Sequence, residues 1–284
     1  MGCNLCPFSC NVNRAKMAGR CGALNTLRIA KYYIHPYEEP VLTGENGSGT
    51  VFFCGCSLKC AFCQNYEVSR NMRGKYITVP RLAEIFKELE DRGAANINLV
   101  SPTHYADKIA EALDIYKPAV PIVYNTHGYE RIETLQFLDK YIDVYLPDMK
   151  FFSPALSKRY AGVSDYFERA SAAIEFMAKK PVKFNEGGVM TSGTLVRHLV
   201  LPQCTGDSKK ILDWFCGIKD RAFINVMSQY TPFGDIEKFP ELKRKITKRE
   251  YESVLDYAMS LGIENMFYQK IESADTIYIP EWDY

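Results

Sequence analysis

Net charge is what this chain most plainly lacks: 35 lysines and arginines against 34 aspartates and glutamates leave a formal +1 over 284 residues. So even a balance gives no global field toward nucleic acid or an anionic membrane, and neither is expected as a partner. Long apolar runs are missing too, since no stretch approaches the roughly 20 residues that span a bilayer. The first residues, Met1-Gly2-Cys3-Asn4-Leu5-Cys6, carry no apolar signal core. Together these absences predict a cytoplasmic protein. The run Gly44-Glu45-Asn46-Gly47-Ser48-Gly49 lacks the Gly-Lys-Ser/Thr ending of a phosphate loop and precedes an apolar stretch instead of following one. It reads as a turn. No internal repeat or low-complexity segment stands out.

With 47% hydrophobic and 24% charged residues, the composition suits one large α/β domain plus a small appendage. The ten cysteines gather mainly at two places. Without a secretion signal they read as metal ligands kept reduced, not as a disulfide framework.

From about Gly49 onward, short apolar runs alternate with helical periodicity, which argues for βα units around a parallel sheet. Six runs read as strands: Val51-Cys54, Asn96-Val100, Pro121-Asn125, Ile142-Leu146, Leu195-Leu201 and Phe223-Met227. Leu82, Ile85, Phe86 and Leu89 mark one helix before Gly93, and Ile109, Ala112, Leu113 and Tyr116 mark another. Thr247 with Glu250 forms a capping box for a last helix. Six units are too few for a closed eight-stranded barrel, so a partial, open (β/α)6 barrel over 49–284 is expected. Residues 1–48, rich in Cys, Asn and Arg, read as a small appended module.

The first strand runs into Cys56-Ser57-Leu58-Lys59-Cys60-Ala61-Phe62-Cys63. A four-iron cluster normally takes four thiolates, so a loop offering Cys56, Cys60 and Cys63 leaves one iron open for a small molecule. Structural zinc prefers paired knuckles and four closed ligands, which this spacing does not supply. Cys54, on the strand itself, reads as a small buried apolar residue.

Parallel βα folds work at the carboxyl ends of their strands, and the unusual polar residues fall there. Strand two leads into Ser101-Pro102-Thr103-His104 and strand three into Asn125-Thr126-His127-Gly128. Strand four ends in Pro147-Asp148-Met149-Lys150, strand five carries Arg197 and His198, and strand six leads to Gln229 and Tyr230. Singly, each suits a helix cap. Six in succession suit a site. A buried Lys150 or Arg197 needs an anion, either Asp148 or a ligand carboxylate, unless Asp148 and Lys150 form a surface pair. Alternation leaves open which face of strand five lines the barrel, that of Leu195, Arg197 and Leu199 or that of Val196, His198 and Val200. His104, His127 and His198 stand as orienting or proton-donating groups, or as caps and core; His35 has no partner in sequence.

The Cys-x3-Cys-x2-Cys loop, with Phe62 before its third cysteine, resembles that of the radical S-adenosylmethionine (SAM) superfamily. Asn125-Thr126-His127-Gly128, Leu146-Pro147-Asp148-Met149-Lys150 and Val196-Arg197-His198-Leu199-Val200-Leu201-Pro202 resemble strand motifs of enzymes that activate glycyl radical enzymes. With Asn4-Leu5-Cys6-Pro7 and Ser101-Pro102-Thr103-His104-Tyr105, the whole chain looks like pyruvate formate-lyase-activating-enzyme-like radical SAM proteins. The resemblance implies a radical SAM type of partial barrel and a 4Fe–4S cluster on Cys56, Cys60 and Cys63. It implies SAM chelated to the open iron and cleaved to a 5'-deoxyadenosyl radical. It also implies SAM contacts from Phe62, Ser101, Thr103, Asn125, Thr126, Asp148, Lys150, Arg197 and Gln229, with Arg197 facing inward. A departure is the absence of the Gly-Gly-Glu often found after strand two; Ser101-Pro102-Thr103 stands there, so the SAM amine must be met differently.

Cys3, Cys6, Cys10 and Cys21 make a second set, Cys-x2-Cys-x3-Cys-x10-Cys, suited to structural zinc or to a second, fully ligated iron–sulfur cluster, with free cysteines as the remaining alternative. Cys204 and Cys216 read as packing residues. The expected function is hydrogen abstraction from a substrate, either a glycine of a partner enzyme or a peptide or small molecule modified directly. A reducing partner such as flavodoxin or ferredoxin follows. The rival classes are an iron–sulfur electron-transfer protein and, more weakly, a zinc-stabilised binding module.

Overall fold

Branched and aliphatic runs too continuous to face water on either side become the parallel centre of one ten-stranded sheet. The computed structural model describes residues 2–271 and Trp282. The strands are β1 (Arg28–His35), β2 (Ser48–Phe53), β3 (Lys75–Tyr76), β4 (Ile97–Val100), β5 (Ile122–Thr126), β6 (Val144–Pro147), β7 (Lys183–Phe184), β8 (Met190–Leu199), β9 (Phe223–Met227) and β10 (Met266–Tyr268). The helices are α1 (Pro40–Thr43), α2 (Tyr66–Ser69), α3 (Val79–Asp91), α4 (Ala106–Ile115), α5 (Ile132–Leu138), α6 (Pro154–Ala161), α7 (Tyr166–Met177), α8 (Thr205–Phe215) and α9 (Lys248–Ser260). Strand order is β10-β9-β8-β6-β5-β4-β2-β1-β3, with β7 attached to β8. From β2 to β10 along this path every pairing is parallel, and β1 joins β2 antiparallel. Among the described residues the sheet stays open, a partial barrel. The six expected strands are β2, β4, β5, β6, β8 and β9; β1, β3, β7 and β10 carry no comparable apolar run.

Alternation along the strands separates two apolar layers. Ile97, Leu99, Ile122, Tyr124, Tyr145, Val196, Ile224 and Val226 pack outward with the helices in the main core. Val123, Val144, Leu146 and Leu195 form a smaller inner cluster. Leu42 of α1 enters that inner cluster, fully buried. Residues 36–47, between β1 and β2, therefore plug the floor of the barrel. Thr78 caps α3 by accepting from the Arg81 N–H, and Thr247 and Glu250 form the reciprocal capping box of α9. Among the described residues no helix is long and apolar enough to cross a membrane.

One charge lies in the outer layer. Glu130 is 2% exposed and accepts from the Thr103 hydroxyl at 2.6 Å and from the Thr126 hydroxyl. Burial pushes its carboxyl up to about 7, only partly opposed by those donors. Among the described residues its second oxygen makes no well-aligned hydrogen bond, although the Tyr124 hydroxyl lies close enough to act on it.

Two predictions follow from this packing. Leu42→Ala empties the plug and should cost about 2–5 kcal/mol in urea unfolding; a loss below about 1 kcal/mol would mean the floor is not a packed core. Glu130 has a folded pKa above its unfolded value of 4.5, so its penalty grows as pH rises from about 4.5 to about 7 and persists above. Glu130→Gln should thus stabilise the protein at pH 8 by on the order of 1–3 kcal/mol, the gain shrinking toward pH 5. A gain that does not change with pH would count against a neutral buried carboxyl.

Candidate active site

β2 ends at a sharp bend: Gly55 has φ of 90°, a conformation that costs glycine little. A side chain there would also press on the Cys21 carbonyl, 2.6 Å from a built Cβ. The loop that follows is fixed at many points. Gly55 N donates to Val68 O at 3.0 Å, Cys56 N to Cys21 O at 3.1 Å and Ala61 N to Tyr160 O at 2.7 Å. The Arg70 guanidinium donates to Lys59 O at 2.6 Å. Cys56, Cys60 and Cys63 all face one cavity of about 230 Å³, and no fourth cysteine lines it. The Cys56 sulfur accepts the Leu58 N–H and lies close enough to Cys60 and Cys63 for their charges to interact. Burial pushes the Cys60 thiol up to about 11, with Lys150 opposing. Cys54 points away, donating to Arg73 O at 3.0 Å. Three convergent thiols with one corner unfilled fit a four-iron cluster bound with an exchangeable ligand.

Opposite the thiols lies a buried charge network. Arg197 Nε donates to Asp148 Oδ1 at 2.9 Å, Nη1 to Glu38 Oε1 at 3.2 Å and Nη2 to Asn125 Oδ1 at 2.7 Å. Lys150 Nζ donates to Asp148 Oδ2 at 2.6 Å. These four charged side chains are only 10–20% exposed, so the Asp148–Lys150 contact is no surface pair. Burial disfavours the Asp148 carboxylate, but Arg197 and Lys150 outweigh it and hold its pKa below the usual value. The same balance, led by Asp148, raises Lys150 despite its burial. Arg197 is thus on the inward face of β8, as the resemblance implies. His198 faces the helices, donating from Nδ1 to Met149 O at 2.8 Å and accepting at Nε2 from the Ser208 hydroxyl at 2.9 Å.

Glu38 is the residue that sequence reasoning missed. It belongs to the plug, lines the cavity, and accepts from Asn98 Nδ2 at 2.7 Å and Asn125 Nδ2 at 3.2 Å. Its neighbour Glu39 accepts from Asn225 Nδ2 at 2.7 Å, and burial pushes that carboxyl up to about 7. The only sequence signal was indirect: an inward arginine demands anions, and Asp148 already serves Lys150.

Of the other expected residues, Phe62, Ser101, Asn125, Thr126 and Gln229 line the cavity with Asp148, Lys150 and Arg197. Ser101 holds a left-handed φ of 56°, unusual for a non-glycine residue. Thr103 is not among the lining residues, its hydroxyl being turned to Glu130. His127 accepts the Tyr129 N–H at Nδ1 (3.1 Å), so its Nε2–H faces Ser57 Oγ at 3.0 Å in the cysteine loop. Burial, aided by Lys150, lowers His127 to about 3 and keeps it neutral. Burial likewise lowers His104 to about 4, and its Nε2 donates to Cys54 O at 2.7 Å. His35 lines the cavity with Nδ1 3.0 Å from the Tyr33 hydroxyl.

Residues 50–202 match the Radical SAM superfamily. A protein of Methanocaldococcus jannaschii, described as uncharacterised, is 30% identical over 280 residues, spanning 93% of this chain and 76% of its own. Streptococcus suis SuiB superposes with a TM-score of 0.53 at 17% identity over 76% of this chain, which spans just under half, 47%, of SuiB. SuiB bound to its precursor peptide SuiA gives a TM-score of 0.51. Likeness at this identity shows a shared fold. A domain of a pyruvate-formate lyase-activating enzyme from Bacteroides vulgatus covers 68% of this chain and 91% of its own at 12% identity, but its TM-score of 0.40 is too loose to carry an argument. The matched span takes in the three-thiol loop, most of β2 and every strand from β3 to β8, and the chain belongs to the radical SAM superfamily, whose members use a 4Fe–4S cluster and SAM.

Proposed function

We propose that this protein cleaves SAM reductively and abstracts hydrogen from a substrate at the strand ends, a glycine of a partner enzyme being the substrate its strand motifs favour. The observation that carries this reading is three thiols, without a fourth, facing the same cavity as a buried Lys150–Asp148–Arg197–Glu38 network. Cys56, Cys60 and Cys63 would hold a 4Fe–4S cluster with SAM at its open iron, and that cluster would supply the one-electron reduction of the sulfonium.

The chain's own residues supply geometry. Arg70 and the neutral His127, through Ser57, hold the loop from two sides. Phe62, packed edge-on against Phe151 and Tyr230 at 6.0 and 6.2 Å, offers an apolar wall for an adenine. Lys150 and Arg197 can meet a carboxylate, while Glu38 and Asp148 can meet an ammonium, a role the absent Gly-Gly-Glu leaves open. The plugged floor leaves the strand ends as the entrance, so a narrow loop tip from a partner, or a small molecule, is what the cavity can admit beside SAM. A peptide modified directly is the second reading, and SuiB, solved with its precursor peptide, shares the fold. A one-electron donor such as flavodoxin or ferredoxin is required.

Anaerobically reconstituted protein given dithionite and SAM should release 5'-deoxyadenosine and methionine, and Cys60→Ala should abolish both. Intact SAM beside a fully loaded, reducible cluster would instead favour an electron-transfer protein. Glu38→Gln tests the charge balance. Formally, Glu38 and Asp148 cancel Arg197 and Lys150, and SAM carries a net positive charge, so removing one carboxylate makes the site less attractive to its ligand by one unit. SAM binding, followed by calorimetry, should weaken about tenfold, or about 1.4 kcal/mol, with iron content unchanged. Unaltered affinity would show that Glu38 only braces Arg197.

A further inference from the structure

The first 26 residues contain thiols that this mechanism does not use. Residues 2–26 form no helix or strand, and turns carry their shape. Cys3 N donates to Val12 O and Asn11 N to Cys3 O, both at 2.9 Å, while Gly22 N donates to Gly19 O at 2.9 Å. Ser9 and Asn11 take left-handed φ values of 39° and 52°, which costs a non-glycine residue on the order of 1 kcal/mol each. Cys6 and Cys21 are themselves among the few buried apolar groups here. Turns alone do not offset the entropy of ordering such a segment.

Its four sulfurs converge. A Cβ built on Gly19 would lie 3.1 Å from Cys10 Sγ and 3.6 Å from Cys21 Sγ. Cys3 lies near enough to Cys6 and Cys21 to repel a charge on either. Burial raises both the Cys6 and the Cys21 thiols, partly opposed by the N–H groups of Phe8 and Ala23, which bond the two sulfurs. Structural zinc and a four-iron cluster both accept four thiolates. What favours the cluster is position: the Cys56 N–H bonds the Cys21 carbonyl at 3.1 Å, which sets this group beside the loop expected to hold the first cluster.

A separate observation points to an anion at this place. Arg14 is 6% exposed and donates only to carbonyls: His104 O, Leu24 O at 2.5 Å and Ala23 O at 3.4 Å. Among the described residues it has no carboxylate partner; it faces the Tyr105 ring at 5.5 Å, and its charge is felt at Cys21. A guanidinium buried that deeply without an anion costs several kcal/mol. Four thiolates on a cluster core of charge 2+ leave a net −2, which Arg14 answers. Arg70 has the same habit at the active-site loop, donating to the carbonyls of Lys59 and Cys60 while its charge is felt at Cys60.

We propose that Cys3, Cys6, Cys10 and Cys21 bind a second 4Fe–4S cluster, ligated at all four corners, that folds residues 2–26 and lies within electron-transfer reach of the first. The Cys56 N–H bonds the Cys21 carbonyl at 3.1 Å, so one hydrogen bond joins a ligand of each set. Lys59 senses charge on both Cys21 and Cys56. One electron from a low-potential protein donor takes this cluster from 2+ to 1+ and passes to the first, with no bond made or broken.

The decisive sample lacks the loop thiols: Cys56→Ala, Cys60→Ala and Cys63→Ala together, reconstituted without oxygen. It should keep four irons and four sulfides per chain, against eight in the parent. Its reduced spin-resonance signal should not move when SAM is added, because no corner is open. This outcome does not depend on whether the loop cleaves SAM. An iron-free variant that still folds by circular dichroism, or one holding a single zinc ion with four sulfur neighbours, would overturn the assignment. If the triple variant does not fold, the native protein decides: eight irons per chain support a second cluster, and four overturn it.

Discussion

A guanidinium inside a barrel must be answered by anions, and the arrangement of this active site depends on how Arg197 is answered. Its partners come from positions 49 and 159 residues away, Asp148 at the end of β6 and Glu38 in the floor plug. Removing either leaves a buried charge uncompensated, a loss typically of about 3–5 kcal/mol for a hydrogen-bonded pair. The network therefore does more than hold charge. It requires that β8, the β6 loop and the segment between β1 and β2 meet at one place, and that place is the wall facing the cysteine loop. Lys150 extends the chain of charges from Asp148 toward Cys60, whose thiol it influences.

The plug gives this network its dry side. Leu42 fills the lower barrel and Glu38 and Glu39 stand above it, so the polar layer rests on an apolar one. At the upper end the exits of β5 and β6 are tied by the Tyr166 hydroxyl, which donates to the carbonyls of His127 and Asp148, 2.9 and 2.8 Å away. Gly128 makes that tie sterically possible: a Cβ there would stand 2.3 Å from Asp148 O, and its φ is 78°. Fixed loops on a rigid sheet keep the polar groups aimed, which is what preorganised catalysis needs.

The sequence disclosed most of this in proportion to how local the signal was. Strands β2, β4, β5, β6, β8 and β9 announce themselves as apolar runs, and the capping box of α9 is contained in four residues. The cysteine loop is equally local. Thr103 was drawn into the expected SAM contacts by its place after β4, but Glu130, which claims its hydroxyl, is 27 residues on. Glu38 was hidden for the same reason in a larger degree. Residues 1–48 look unlike the repeating units, yet Arg28–His35 pairs with β2 and the following turn enters the barrel. The face of β8 was undecidable from alternation alone because Val196 and Leu195 are equally apolar. Only the inner and outer neighbours, Leu42 on one side and the helices on the other, distinguish them.

An even overall charge conceals an uneven local one. Across the chain, cations and anions cancel to within one. Around the cysteines they do not: Arg14 and Arg70 spend their hydrogen bonds on carbonyl oxygens and keep their full charge for what lies beside them. At Glu130 the bias is reversed, with a carboxyl buried among hydroxyls and pushed toward neutrality. Among the described residues neither arginine has a carboxylate partner, and each guanidinium instead faces an aromatic ring, Tyr105 at 5.5 Å from Arg14 and Tyr66 at 5.8 Å from Arg70. On the proposal of two clusters their anions are thiolates, neutral while protonated and charged when they hold iron. On that view the cations belong to the metal sites as surely as the cysteines do, and a search for such sites should look for carbonyl-caged arginines as well as for sulfur.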